Sequence, residues 1–415
     1  MNKKLLFIAW TISDVKLLRA LTFHSNKKVT IIALRLSSFC YAKYCKFSVV
    51  GLWHVPFLAS FLFWRKTPSG FNIDKKFYLG LSIKDRYFES AFKLYRQVLG
   101  ARFPNYESIV FLTGTSRLSE QAIQSHFSSS KIIYWEAGIA GTIYMSEKGV
   151  NADADFRDLP DGEHSYFAQL FSQTCQVDEQ EKIPKKGVID FIFKVFDGLY
   201  LVFLRYLLGN KEVDEILDIN WNIFSGKKQA VELDFSLNYN LFVDQVEQDT
   251  NFTHFGNNPV ETVRYLNLLM EKSGLNETSL LVRRGHPRQL VTLVSKILKN
   301  CSSTNYIDDS GSNLTQSLIN ANLIITVNST VGVEALLLGK PVVLLGASYY
   351  DKLYGVLSPE EGIRFSSGLL DLDSEKIIME VSRFLDNCFI PIDYRRGKFR
   401  GIHGFDDFLA KLDNK

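Results

Sequence analysis

The chain has 415 residues, 46% of them hydrophobic and 22% charged, with a formal net charge of +3. That length exceeds one ordinary core and suits two domains, and the near-balanced charge gives no reason to expect a nucleic-acid partner. The five cysteines, Cys40, Cys45, Cys175, Cys301 and Cys388, form no C-x-x-C pair and no zinc spacing, which argues against a disulfide framework and fits reduced thiols in a cytoplasm.

The opening "MNKKLLFIAWTISDVKLL" mimics a short signal peptide. Its apolar run is brief, lacks a small-residue cleavage site and soon meets Asp14 and Lys16, so it reads as a first buried strand. Strands are predicted at Leu5–Trp10, Val29–Leu34, Ser108–Leu112 and Lys131–Trp135, with helices at Ser13–Phe23 and Arg86–Leu99. "VVGLWHVPFLASFLFW", Val49 to Trp64, is too short to span a bilayer. Asn151 to Lys186 is polar and reads as a loop or insertion. Val188 to Leu208 is long and apolar but carries Asp190, Lys194, Asp197 and Arg205. It reads as an amphipathic helix that faces either a core or a membrane surface.

The second half alternates more regularly. Strands are predicted at Asn240–Val243, Ser279–Arg283, Asn305–Asp308, Leu323–Val327 and Pro341–Leu345. Helices fall between and after them at Val260–Lys272, Gln289–Leu298, Leu314–Asn320 and Val331–Leu338. This alternation is the mark of α/β layers on parallel sheets. The predicted fold is therefore α/β, with two Rossmann-like domains facing a cleft. Their boundaries are 1–235 and 236–390, with "SGKKQ" as the linker, and a basic tail, 391–415, packing back on the first domain.

In doubly wound sheets ligands bind outside the carboxyl ends of the strands. Unusual polar residues sit at three such ends in the second half. "QVEQD" spans Gln245 to Asp249, "RRGHPR" spans Arg283 to Arg288, and "NST" spans Asn328 to Thr330. One Ser or Thr suffices to cap a helix, so three polar residues before the Val331 helix point to an anion on its N-terminus. Glu334, one turn in, suits a neutral diol; the plain alternative is a capped helix with Glu334 as dipole partner. Arginine holds carboxylate or phosphate in a fixed fork, and Arg283, Arg284 and Arg288 flank His286 and Pro287. Asp244, Glu247 and Asp249 are all candidate acids here; alternation after the strand aims Gln245 and Asp249 at the cleft and leaves the others solvated, although a charged loop has the same composition. In the first half, "YWEAGIAGTIYMSEKGVNAD" ends a strand in Glu136, and Gly138 and Gly141 permit close backbone approach. No Walker A loop, G-x-G-x-x-G or H-E-x-x-H is present, and the D-x-D at Asp153–Asp155 lies in a polar loop. No metal is expected.

"WEAG…EKGVNA", "QVEQD", "HP" and "NSTVGVEALLLGKPVVLLG" occur in the order that resembles the capsule-synthesis family of bacterial glycosyltransferases, which includes retaining β-Kdo transferases of capsule and O-antigen assembly. The resemblance covers roughly Lys131 to Asp153 and Leu241 to Asp351. It implies a two-domain GT-B fold, acceptor on the N-terminal domain and CMP-sugar on the C-terminal one. It implies CMP-Kdo as donor substrate and Asp249 as the nucleophile. His286 and Pro287, with Asn328, Ser329 and Thr330, would hold the cytidine monophosphate. Glu136 would lie near the sugars, with Gly138 and Asn151 of the same stretch on the acceptor side. The H-P pair follows Gly285 here, a departure that bears on the base contacts. Kdo carries a carboxylate at its anomeric carbon, which suits Arg283, Arg284 or Arg288. The expected partner is a polysaccharide or lipid-linked glycan acceptor, at a cytoplasmic site with peripheral inner-membrane contact. The alternatives are a same-fold transferase using another CMP-sugar such as sialate, and a non-catalytic glycan-binding subunit of polysaccharide export.

Overall fold

The computed structural model describes residues 4–55, 58, 85–104, 108–114, 118–139, 141–160, 162–172, 177–182, 192–200 except 194 and 196, 233–246, 255–256, 258–273, 280–286, 292–300, 306–309, 311–391, 398–402 and 404–413. In chain order the elements begin with β1 (Lys4–Ala9), α1 (Ile12–Leu21), β2 (Val29–Ala33), α2 (Leu36–Tyr44) and β3 (Ser48–Gly51). Next come α3 (Asp85–Arg102), β4 (Ser108–Leu112), α4 (Leu118–His126), β5 (Lys131–Ala137), β6 (Thr142–Ser146), α5 (Tyr166–Ser172) and β7 (Val177–Lys182). The second half contributes β8 (Tyr239–Val243), α6 (Pro259–Ser273), β9 (Leu280–Arg284), α7 (Leu293–Asn300), β10 (Tyr306–Asp308) and α8 (Leu314–Asn320). It continues with β11 (Leu323–Thr326), α9 (Val331–Leu337), β12 (Val342–Leu344), β13 (Val356–Leu357), α10 (Pro359–Ser366) and α11 (Ser374–Cys388). The chain then adds β14 (Ile390–Pro391), β15 (Lys398–Ile402) and α12 (Phe405–Asp413).

Two compact units result: Met1–Val150 with Ala154–Ile219 and Asn387–Lys415, and Asn151–Asp153 with Asn220–Asp386. The first is built on a seven-stranded sheet ordered β14-β6-β5-β4-β1-β2-β3. β5, β4, β1, β2 and β3 run parallel, β6 pairs antiparallel with β5, and β14 pairs antiparallel with β6. After Lys4, every residue of β1 is buried, as expected for a parallel strand covered on both faces. Phe7 stacks on Phe111 at 4.0 Å and meets Trp135 edge-on. Thr11 and Asp14 close a capping box at the start of α1, which stops β1 and turns the chain. The C-terminal helix α12 belongs to this core: Phe405, Phe408, Leu409 and Leu412 are buried, and Phe408 lies 4.2 Å from Phe171.

Two expectations change here, and a third segment gains a place in the fold. β5 does not end at Trp135; it runs to Ala137 and turns into the hairpin with β6, Trp135 opposite Met145. The Asn151–Lys186 stretch is not all loop. It holds two short 3-10 turns, α5 and β7, and β7 pairs antiparallel with β15. The apolar Val49–Trp64 segment opens as β3, the edge strand, while 59–64 lie outside the described residues. Of the Val188–Leu208 stretch, the described residues from 192 to 200 are helical. Phe193 meets the Tyr41 ring, Tyr200 donates to the Trp53 carbonyl, and Asp197 accepts the Ser37 N–H at 2.8 Å. Ile192, Val195 and Leu199 are 41, 42 and 63% exposed.

The second unit carries a six-stranded parallel sheet ordered β10-β9-β8-β11-β12-β13. Counted from β8, that is the doubly wound 3-2-1-4-5-6 order, whose direction reverses between the first and fourth strands. The reversal therefore falls between β8 and β11. Phe242, Leu281, Leu323, Ile325 and Val343 of the strands, with Val263, Leu266 and Leu269 of α6, form its core. Among the described residues no helix is long and apolar enough to cross a membrane.

Candidate active site

The polar corners of the second unit are fixed where β8 and β11 end. Gln245 follows β8 and Asn328 follows β11, and both are buried. The Gln245 side-chain amide donates to Asn328 Oδ1 at 3.0 Å, and the Asn328 backbone N–H donates to Gln245 Oε1 at 2.8 Å. This reciprocal pair bridges the switch point. Thr326 adds a hydroxyl bond to the Val243 carbonyl at 3.1 Å.

The segment that begins at Gln245 is also held on its return. Ala347 N–H donates to the Phe255 carbonyl at 2.9 Å. Gly346 makes that approach feasible, since a Cβ there would sit 2.4 Å from the Phe255 oxygen. Asp249, at 247–254, lies outside the described residues; both flanks of its segment are tied to the ends of β11 and β12.

The three polar residues before α9 have separate tasks. Asn328 pairs with Gln245. Ser329 Oγ accepts the Val331 N–H at 3.3 Å. Thr330 makes no cap bond, and its side chain is exposed. Gly332 is required by the Tyr350 ring, whose hydroxyl would lie 2.2 Å from a Cβ at that position. That hydroxyl donates to the Ser329 carbonyl, and Tyr350 is fully buried, which pushes its pKa far up. Gly339, at φ +71°, ends α9: its N–H reaches the Leu336 carbonyl, and Lys340 N–H reaches the Ala335 carbonyl. That is a Schellman stop, and it accounts for the glycine of "GKP". Glu334 is half-buried in the first turn of α9.

The arginines divide. Arg283 has no exposed surface; its guanidinium meets Asp244 at 2.7 Å and Asp308 at 2.9 Å. Burial alone would lower its pKa, but these carboxylates raise it. Its fork is committed, so it offers no face to a donor carboxylate. Arg284, partly exposed, pairs with Asp309 at 3.1 Å. His286 is half-buried just past β9, whereas Pro287 and Arg288 lie outside the described residues.

In the first unit, Glu136 stands opposite Tyr144 in the hairpin and accepts a hydrogen bond from its hydroxyl. Gly138 is explained by packing: a Cβ there would lie 2.5 Å from Thr142 Oγ1 and 2.6 Å from the Phe389 ring. Asn151 clusters with the second unit; it is buried with φ +53°, and its Oδ1 accepts from Ser348 Oγ at 3.2 Å. Ser146 organises the turn between, accepting from the N–H groups of Lys148, Gly149 and Asp155. Sequence reasoning passed over Thr292 and Tyr350, and it left the candidate Asp244 to solvent, whereas Asp244 is buried against Arg283. Asp244 has a visible signal, an acid directly after an apolar strand; the other two have none. Among the described residues no group of three His, Cys, Asp or Glu side chains could hold a metal ion.

Comparison with solved structures finds low-identity likenesses over nearly the whole chain. A KpsC beta Kdo 2,7 transferase from Thermosulfurimonas dismutans is 13% identical with a TM-score of 0.41, covering 99% of each chain. A putative UDP-N-acetylglucosamine 2-epimerase from Listeria monocytogenes is 13% identical with a TM-score of 0.39, covering 100% of this chain and 97% of the other. Among curated proteins, Protein FixF of Sinorhizobium fredii (strain NBRC 101917 / NGR234) is 28% identical over 128 residues, 31% of this chain. The match spans only 31% of that relative's length. Residues 221–360, which hold the Gln245, His286 and Asn328 corners but neither Glu136 nor Asn151, match the family model described as Capsule polysaccharide biosynthesis protein.

Proposed function

We propose that this chain is a glycosyltransferase of capsule or related polysaccharide synthesis that moves β-Kdo from CMP-Kdo to a polysaccharide or lipid-linked glycan acceptor with retention. The observation that carries the reading is the Gln245–Asn328 pair. It joins two sequence corners, "QVEQD" and "NST", at the switch point where doubly wound sheets bind ligands. The family match over 221–360 supports the same class.

In this reading the Asp249 carboxylate attacks the anomeric carbon of Kdo. The bond to the phosphate oxygen breaks, and CMP departs with the electron pair. His286, with Ser329 and the exposed Thr330 hydroxyl, holds the departing phosphate, Pro287 adds an apolar contact to the cytidine monophosphate, and Glu334 takes a ribose hydroxyl. Arg284 or Arg288 holds the sugar carboxylate. An acceptor hydroxyl then displaces Asp249 from the opposite face while Glu136 takes its proton, so two inversions give retention. A monophosphate leaving group carries less charge than a diphosphate, and no metal is required by this scheme. Gly138 and Asn151 shape the acceptor side indirectly, through packing and the bond to Ser348. In this reading the protein works at a cytoplasmic location, with peripheral inner-membrane contact through the exposed Ile192, Val195 and Leu199.

The decisive experiment incubates the protein with CMP-Kdo and no acceptor and measures intact mass. A one-sugar increase that maps to Gln245–Phe252 and vanishes in Asp249→Ala and Asp249→Asn is expected. Full transfer activity in Asp249→Ala would end the double-displacement reading; turnover of CMP-sialate alone would change the donor.

A further inference from the structure

We propose that Asp244 is a positioning residue whose single carboxylate fixes the departure and return points of the His286–Pro287 segment, an inference that rests on the donor-site reading above. Asp244 lies at the end of β8, 1% exposed. Its Oδ2 accepts from Arg283 Nε at 2.8 Å, three residues before His286. The same oxygen accepts the Thr292 hydroxyl at 2.6 Å, five residues after Pro287. Its Oδ1 accepts the backbone N–H of Gln245 at 2.9 Å, where the Asp249 segment begins. Arg283 and Thr292 are 0% and 1% exposed. On its far side, Arg283 pairs with Asp308, which also meets Lys299 at 3.4 Å.

A buried ion pair of this kind is a poor way to gain stability, because desolvation offsets most of its Coulomb attraction. What it supplies is direction. A planar guanidinium and one hydroxyl converge on one oxygen, so the ends of two segments cannot shift independently. Thr292 also accepts the Ser295 N–H at 3.1 Å, which ties the return point to the first turn of α7.

Thr292 gives the test, since Arg283 or Asp244 variants are liable to unfold. Thr292→Val keeps the branched shape and removes the hydroxyl; Thr292→Ser keeps the hydroxyl. Full-length wild type and both variants are compared by hydrogen exchange of peptides spanning 285–292, by calorimetry with CMP, and by thermal unfolding. Thr292→Val should exchange about tenfold faster in 285–292 and bind CMP about tenfold more weakly, the scale of one hydrogen bond to a charged group. Thr292→Ser should return both to within about threefold of wild type. Wild-type exchange and affinity in Thr292→Val would overturn the proposal, as would faster exchange spread evenly over the second unit. If wild type fails to bind CMP, the donor reading falls, and the exchange comparison by itself decides the role of Asp244.

Discussion

Gln245 and Asn328 are 83 residues apart in the chain, yet each is the other's hydrogen-bond partner, amide to carbonyl at 3.0 Å and backbone N–H to carbonyl at 2.8 Å. They follow neighbouring parallel strands, so any change in the pairing of β8 with β11 breaks both bonds.

A double-mutant cycle measures this relationship. Asn328→Ala strands the buried Gln245 amide and should cost about 1–3 kcal/mol in urea unfolding. Gln245→Ala should cost a similar amount. The double variant should lose clearly less than the sum, with a coupling of about 1 kcal/mol or more. Strict additivity would mean that the two side chains are not partners.

Gly332 has a steric reason that Tyr350 supplies. Gly332→Ala should destabilise by about 1–3 kcal/mol through overpacking, because its new Cβ would meet Tyr350 Oη at 2.2 Å. Gly332→Ala with Tyr350→Phe should recover part of that loss in thermal unfolding, since the nearest atom is removed. Only part is expected: the ring carbon at 2.9 Å remains, and the Ser329 carbonyl loses its donor.

Asp309 makes the second unit acid-sensitive. Burial pushes its carboxyl up, but the Ser312 N–H and hydroxyl, the Arg284 guanidinium and the Ser317 hydroxyl outweigh burial and hold it below its ordinary value. A lowered native pKa gives stability that is fully present above the unfolded value, near pH 4, and is lost as pH falls through the native one. Urea midpoints of wild type should therefore drop below about pH 4. Asp309→Asn should be less stable at neutral pH and show a flatter acid limb; an equally steep limb would assign the sensitivity elsewhere.

The proposed CMP-sugar donor, with its phosphate at the Ser329–Thr330 corner, sets a nucleotide preference. Calorimetry should give tighter binding of CMP than of UDP or GDP, unchanged by chelator. Tighter UDP binding or strict metal dependence would remove the CMP reading. His286→Ala should reduce turnover by about 10²-fold or more while leaving the unfolding midpoint near wild type, because His286 is half-buried just beyond β9 and not in a core stripe.

The sequence by itself determined the layers. Short apolar runs such as "LLFIA" and "LIIT", bounded by polar residues, read as strands covered on both faces, and between them the helical stretches carry their own caps and stops, as at Gly339. The β4 and α8 boundaries were read to the residue, because local burial and capping are written in neighbouring positions. It also determined where polar residues leave the strands, and hence which corners merit attention. Only the tertiary structure decided which of those residues face solvent and which face one another. Arg283 reads as a free anion binder until Asp244 and Asp308 close on it from β8 and β10. Gly138 reads as a ligand-approach glycine until Phe389 comes to lie above it. Strand order brings these partners together, and strand order depends on which buried faces match across the whole sheet, a long-range condition that no local period encodes.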